Sequence, residues 1–221
     1  MIDRQARLAH WLTATLLMML ASGCSYEGLG SVDQIYSMYG ARLPEKSRIF
    51  VCSAYTCRTQ TAFKFTSEDI AKLRSLMADS KRGAGPADER LRIASTLAWM
   101  EKRVGDVVGT SADRPGDDFA GAGDPTQMDC VDVATNLTSY LRVLDNNGLI
   151  KHHTIGSVYV KEDIRKGLSG WTHYAATIVE SETKQKYAVD GWLLPSGQEP
   201  EIVEVERWYI DDRQIAVKGW L

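Results

Sequence analysis

The stretch Gln127-Met128-Asp129-Cys130-Val131-Asp132-Val133-Ala134 places a cysteine in the first turn of a helix. Ala134, Leu137, Leu141 and Leu144 follow Cys130 at helical spacing and form one apolar face. Asp129 is suited to cap this helix, its carboxylate accepting first-turn N–H groups. Asn146-Asn147-Gly148 closes it with residues that tolerate the left-handed cap conformation. A thiol at such a place lies near the positive end of the helix dipole, which favours thiolate over thiol. Two later residues complete a reacting set: His173 in Thr172-His173-Tyr174-Ala175-Ala176, and Asp190 in Tyr187-Ala188-Val189-Asp190-Gly191-Trp192. A nucleophile, a general base and a carboxylate that orients the base have these residue types. His152 and His153 are rivals for the base, at a loop where the chain leaves the cysteine helix for a strand.

The N-terminus reads as an export signal rather than structure. Arg4 and Arg7 precede a mostly apolar run from Leu8 to Leu20, too short for a membrane span, which needs roughly 20 apolar residues. Ala21-Ser22-Gly23-Cys24 then resembles a bacterial lipoprotein cleavage box. On that reading residues 1–23 are the signal and Cys24 carries the lipid. The position three before the cysteine is alanine where leucine is usual. Ser25 resembles the sorting position of lipoproteins passed to the outer membrane, which is the expected address. An ordinary secretory signal cleaved nearby also places the protein outside the cytoplasm. Residues 24–47, with Gly28, Gly30, Gly40 and Pro44, read as a tether to a single domain over 48–221. The formal net charge of −3 argues against a nucleic-acid partner.

With Cys24 lipidated, three of the four cysteines remain. Cys52 and Cys57 are close enough in the chain to be disulfide partners in an oxidising compartment. A metal pair or a redox pair are the alternatives for them. Cys130 is left without a disulfide partner, which suits a nucleophile or an inert buried cysteine. Two helices follow, one capped at Thr66 or Ser67 with the stripe Ile70, Leu73 and Met77. The other opens at Pro86, carries Ile93, Leu97, Met100 and Val104, and ends at Gly105. Both are expected to pack against the cysteine helix. The acidic, glycine-rich stretch from Asp113 to Asp124 reads as a solvated loop, with a lid or substrate edge, or a calcium loop, as alternatives.

After Gly148 the pattern alternates. Thr154 to Lys161, Thr172 to Glu180 and Lys186 to Leu193 read as three strands of an antiparallel meander. Residues 202–205, 208–210 and 215–221 are candidates for more. Helices followed by a sheet make an α+β domain.

Asp129-Cys130 opening a helix, His173 on one strand and Val189-Asp190-Gly191-Trp192 on the next resemble the transglutaminase-like branch of the papain-like fold. The resemblance covers roughly Asp129 to Trp192, and is closest to the periplasmic transglutaminase-like cysteine proteinases. His173 departs from it slightly, being followed by Tyr174-Ala175. The resemblance implies an α+β fold with the nucleophile helix packed on an antiparallel sheet, and a Cys130–His173–Asp190 triad. It also implies that Asp129 and Asp132, flanking the nucleophile, can bind calcium, with no other cofactor required.

In the expected chemistry His173 takes the proton of Cys130, Asp190 orients the imidazole, and the thiolate attacks an amide carbonyl. The N–H of Cys130 and the side chain of Gln127 are the expected oxyanion donors. Water resolves the acyl-enzyme in a peptidase or amidase; an amine does so in a transferase. The expected partners are a protein or peptide substrate in the cell envelope and, through the lipid, a membrane. A non-catalytic envelope lipoprotein on the same fold is the competing expectation. Trp171 and Trp192, each two residues from a triad member, are candidates to line a cleft.

Overall fold

The computed structural model describes residues 25–79, 83–116, 119–162 and 172–210. The signal segment, Cys24, Trp171 and the strand expected over 215–221 lie outside them. The described residues form an α+β structure with two antiparallel sheets and five α-helices. In chain order the elements are β1 (Ser25–Gly28), α1 (Gln34–Met38), β2 (Arg48–Ser53), β3 (Thr59–Lys64), α2 (Ser67–Met77) and α3 (Pro86–Val108). There follow α4 (Cys130–Asn146), β4 (His153–Glu162), β5 (Thr172–Glu180), β6 (Lys186–Asp190), β7 (Glu201–Glu204) and α5 (Val205–Ile210).

The larger sheet runs β1-β4-β5-β6-β7, every neighbouring pair antiparallel. The smaller is the β2–β3 hairpin. The helix α4 starts at Cys130 and is capped by Asp129 as its sequence predicts, with a reciprocal capping box to Asp132. Its burial exceeds the expected single face, because β2, the β4–β5–β6 face and α3 all pack against it. Thr135, Asn136, Thr138 and Ser139 on its remaining faces each find a partner. Thr135 and Thr138 donate to the carbonyls of Val131 and Ala134. The Asn136 amide clasps the backbone of Cys52, and Ser139 meets the Tyr36 hydroxyl.

Four expectations are corrected. Residues 25–47 are not a tether: β1 pairs with β4 along its whole length, and Ile35 and Tyr36 of α1 are buried in the core. Within the described chain the domain therefore begins at β1. Second, α3 does not stop at Gly105 but runs to Val108 and ends on Gly109 in the left-handed conformation. Gly105 is needed for close approach instead, since a Cβ there would meet the Ser111 hydroxyl at 2.9 Å. Third, residues 208–210 belong to α5 rather than a strand. Fourth, β6 ends at Asp190, and Trp192 and Leu193 lie in the following turn. The first two helices behave partly as expected: α3 packs on α4, whereas α2 packs on α3.

Candidate functional site

The sheet register brings His173 and Asp190 together. The β5–β6 ladder reaches Ala176 opposite Val189, so the start of β5 and the end of β6 are neighbours. Asp190 then falls diagonally across from His173, within reach of long side chains. His173 Nε2 lies 2.6 Å from Asp190 Oδ2, with both side chains buried. The same oxygen accepts from the indole Nε1 of Trp208 at 2.8 Å, and Oδ1 accepts from the Trp192 N–H at 3.1 Å. Burial raises the Asp190 carboxyl, but the His173 charge and these hydrogen bonds outweigh it and hold the group below its usual value. An ionised Asp190 only accepts, so His173 Nε2 carries the hydrogen and Nδ1 is the basic nitrogen. Nδ1 is buried and has no hydrogen-bond partner. The imidazole packs against Trp192 at 4.7 Å and Trp208 at 5.6 Å between ring centroids.

Cys130 reaches this region from the first turn of α4, which packs on the sheet. It is not disulfide-bonded, and its Sγ lies 3.8 Å from the carbonyl oxygen of Thr172, the residue before His173. In this state the sulfur makes no hydrogen bond to His173 Nδ1. Tyr39, from the turn after α1, donates its hydroxyl to Tyr174 at 2.8 Å, the rings meeting edge to face. Burial, then the Tyr174 hydroxyl and the Cys130 and Asp129 charges, push the Tyr39 phenol upward, so it remains a proton donor. Tyr174 also lines a cavity of about 320 Å³ with Leu29, Gln34, Met38 and Glu162.

The other expected site residues fall as follows. Gln127 is buried, but its amide donates to the Ala112 carbonyl and its Oε1 accepts from the Arg114 N–H. It fixes the 110–114 turn and is spent as an oxyanion donor, which corrects the expectation. Part of the acidic loop does the same work, Asp113 accepting from the Met128 N–H at 2.7 Å and Gly116 donating to the Trp192 carbonyl. His153 opens β4 and pairs with Glu180 at the far end of β5, about 23 Å along that strand from His173 at 3.3 Å per residue. Arg90 donates to its Nε2, so Nδ1 donates to Glu89, and both ring nitrogens are committed. His152 is held at the same end by Glu89 and Ala84. Neither is the base for Cys130.

Asp129 and Asp132, the candidate calcium ligands, are engaged by backbone donors. Their oxygens accept N–H groups from Asp129, Asp132, Tyr55, Thr56 and Cys57. Peptide hydrogens therefore occupy directions that a cation would need. Cys52, Cys57 and Asp132 do cluster within 4.8 Å, yet the two sulfurs are joined in a disulfide and cannot serve as thiolate ligands. That disulfide is the one expected from the spacing.

Trp208 was not singled out for the site by sequence. It is fully buried, on an element that follows β7, and no motif spacing ties it to Asp190. Its only advance signal is that a buried indole needs an acceptor.

Comparison with protein-family models, with curated proteins and with solved structures found no match.

Proposed function

We propose that this chain is a thiol hydrolase acting on protein or peptide amide bonds, on a transglutaminase-like variant of the papain-like fold. The observation that carries the reading is the buried 2.6 Å His173–Asp190 bond, with Nδ1 left over and the Cys130 sulfur beside the preceding residue. A histidine held by an ionised carboxylate through one nitrogen has its other nitrogen poised as a base. The Thr172 carbonyl that the sulfur approaches belongs to the residue next to His173 in the chain. Such contacts are often long before substrate binds.

The steps follow from these roles. Cys130 gives its proton to His173 Nδ1, and Asp190 stabilises the resulting imidazolium. The thiolate adds to the amide carbonyl, and the oxyanion is met by the backbone N–H of Cys130 at the positive end of α4. His173 then protonates the leaving amine, and water, deprotonated by His173, releases the acid. The chain is exported and anchored through Cys24, which places the substrate in the cell envelope. Replacing Cys24 by alanine is expected to move the protein from the membrane to the soluble fraction.

The deciding experiment is the pH dependence of iodoacetamide alkylation of Cys130, with and without His173→Ala. The reading expects fast reaction well below pH ~8.5, the ordinary thiol value, and its loss in the variant. A specific observation favours the second reading, a non-catalytic envelope lipoprotein: Cys130 and His173 are only 8% and 3% exposed, and His173 Nδ1 accepts no hydrogen bond. Equal, slow alkylation of both proteins would establish that reading instead.

A further inference from the structure

The tip of the β2–β3 hairpin has an unusual backbone. Ala54, Tyr55, Thr56 and Cys57 all take positive φ, from 53° to 67°. Left-handed residues other than glycine cost about 1–2 kcal/mol each, so such a run persists only where its surroundings over-determine it. Two things do so here. The Cys52–Cys57 disulfide closes the tip covalently. Successive left-handed residues also turn their N–H groups to one side, making a concavity for anions, and carboxylates fill it. Tyr55 and Cys57 donate to the two oxygens of Asp132 at 2.9 and 2.6 Å, and Thr56 donates to Asp129 at 3.0 Å. Ala54 donates to the Gln127 carbonyl at 2.8 Å. Gln127, Asp129 and Asp132 bracket Cys130 in the chain, and none of the hairpin donors belongs to the reacting set.

We propose that the disulfide-closed hairpin is the positioning device of Cys130, so that the reactivity of Cys130 depends on whether Cys52 and Cys57 are oxidised. The proposal rests on Cys130 being the nucleophile. A dithiol reductant attacks one sulfur to give a mixed disulfide, and its second thiol resolves it. The products are two cysteine thiols and the oxidised reductant, two electrons and two protons having passed to the protein. The released tip relaxes to right-handed φ and withdraws its N–H groups. Two buried carboxylates then lose donors at the start of α4, and the first turn shifts to resolvate them, carrying Cys130 out of register with His173.

The test is site-resolved alkylation of Cys130, read by mass spectrometry from pH 5 to 9, on three forms of the full chain: oxidised wild type, Cys52→Ser/Cys57→Ser, and Asp132→Asn. The double variant is expected to react at least ~10-fold more slowly near pH 7 and to lose the low-pH limb of the profile. Asp132→Asn separates positioning from simple charge. Burial keeps Asp132 largely protonated below pH about 8, so near pH 7 the substitution removes an acceptor of the hairpin N–H groups rather than a charge; lost charge speeds the reaction, whereas a loosened hairpin slows it. Slower reaction supports the proposal, and unchanged or faster reaction overturns it. Should the double variant not fold, Asp132→Asn decides alone. If oxidised wild type has no low-pH limb that depends on His173, the hydrolase reading falls and takes this proposal with it. If the limb is present and the double variant keeps it, only the proposal falls.

Discussion

At the scale of single residues, the site depends on how one carboxylate is held. Asp190 is buried, yet three donors keep it ionised: His173, Trp208 and the Trp192 N–H. Trp208→Phe keeps most of the ring and removes one donor. A buried carboxylate losing a partner costs about 1–3 kcal/mol, so the urea midpoint is expected to fall. The Asp190 pKa is expected to rise, so the acid limb of Cys130 alkylation moves to higher pH. A variant with a wild-type alkylation profile would show that the indole only fills space. The three residues proposed to react were legible in sequence because each sits at a place with local meaning: a capped helix start, a strand start and a strand end. Gln127 was misjudged because a glutamine three residues before a nucleophile looks the same whether its amide faces the site or, as here, the Ala112 carbonyl.

At the scale of elements, the largest difference lies in residues 25–47. Glycines and a proline spread over a short segment resemble a linker, and the segment has little periodicity of its own. It is ordered by what it docks on: β1 completes the edge of β4, and α1 inserts Ile35 and Tyr36. A helix of five residues is far too short to be stable alone. Ile35 is fully buried, so Ile35→Ala is expected to cost about 2–5 kcal/mol. For a true tether the change would stay within ~0.5 kcal/mol. Urea denaturation distinguishes the two. The end of α3 departs from its sequence signal for a related reason. Glycine commonly stops a helix, but Gly105 sits inside one because the turn carrying Thr110 and Ser111 folds back onto it.

At the scale of the whole molecule, the buried carboxylates set how stability depends on pH. Burial, with the Asp129 carboxylate beside it, pushes Asp132 up to about 8. Burial pushes Glu101 and Asp113 up to about 7 each, and the Glu101 charge adds to the effect on Asp113. Each binds its proton more tightly folded than unfolded. Its contribution is complete below the ordinary carboxyl range and is lost as pH rises toward 7 or 8. Asp190 and Glu89 are depressed by their hydrogen bonds despite burial, so their contributions hold above the ordinary range and are lost as pH falls below it. Stability is therefore expected to peak near pH ~5 and to decline toward pH 8. Urea midpoints across pH 4 to 9 check this, and a midpoint that rises from 5 to 8 would contradict it. Glu101→Gln is expected to flatten the decline. None of these shifts is visible in composition, where a charged fraction of 25% looks ordinary. The sequence alone determined the α4 start and cap, the Cys52–Cys57 pairing, the three strands β4 to β6 and where along them Cys130, His173 and Asp190 stand. All of these follow from short-range periodicity, capping chemistry and spacing. Tertiary structure decided which donors hold Asp190, where Gln127 points, what the paired aspartates bind and that the chain before β2 belongs to the core. Those depend on burial and on contacts between residues far apart in the chain, which no local pattern encodes.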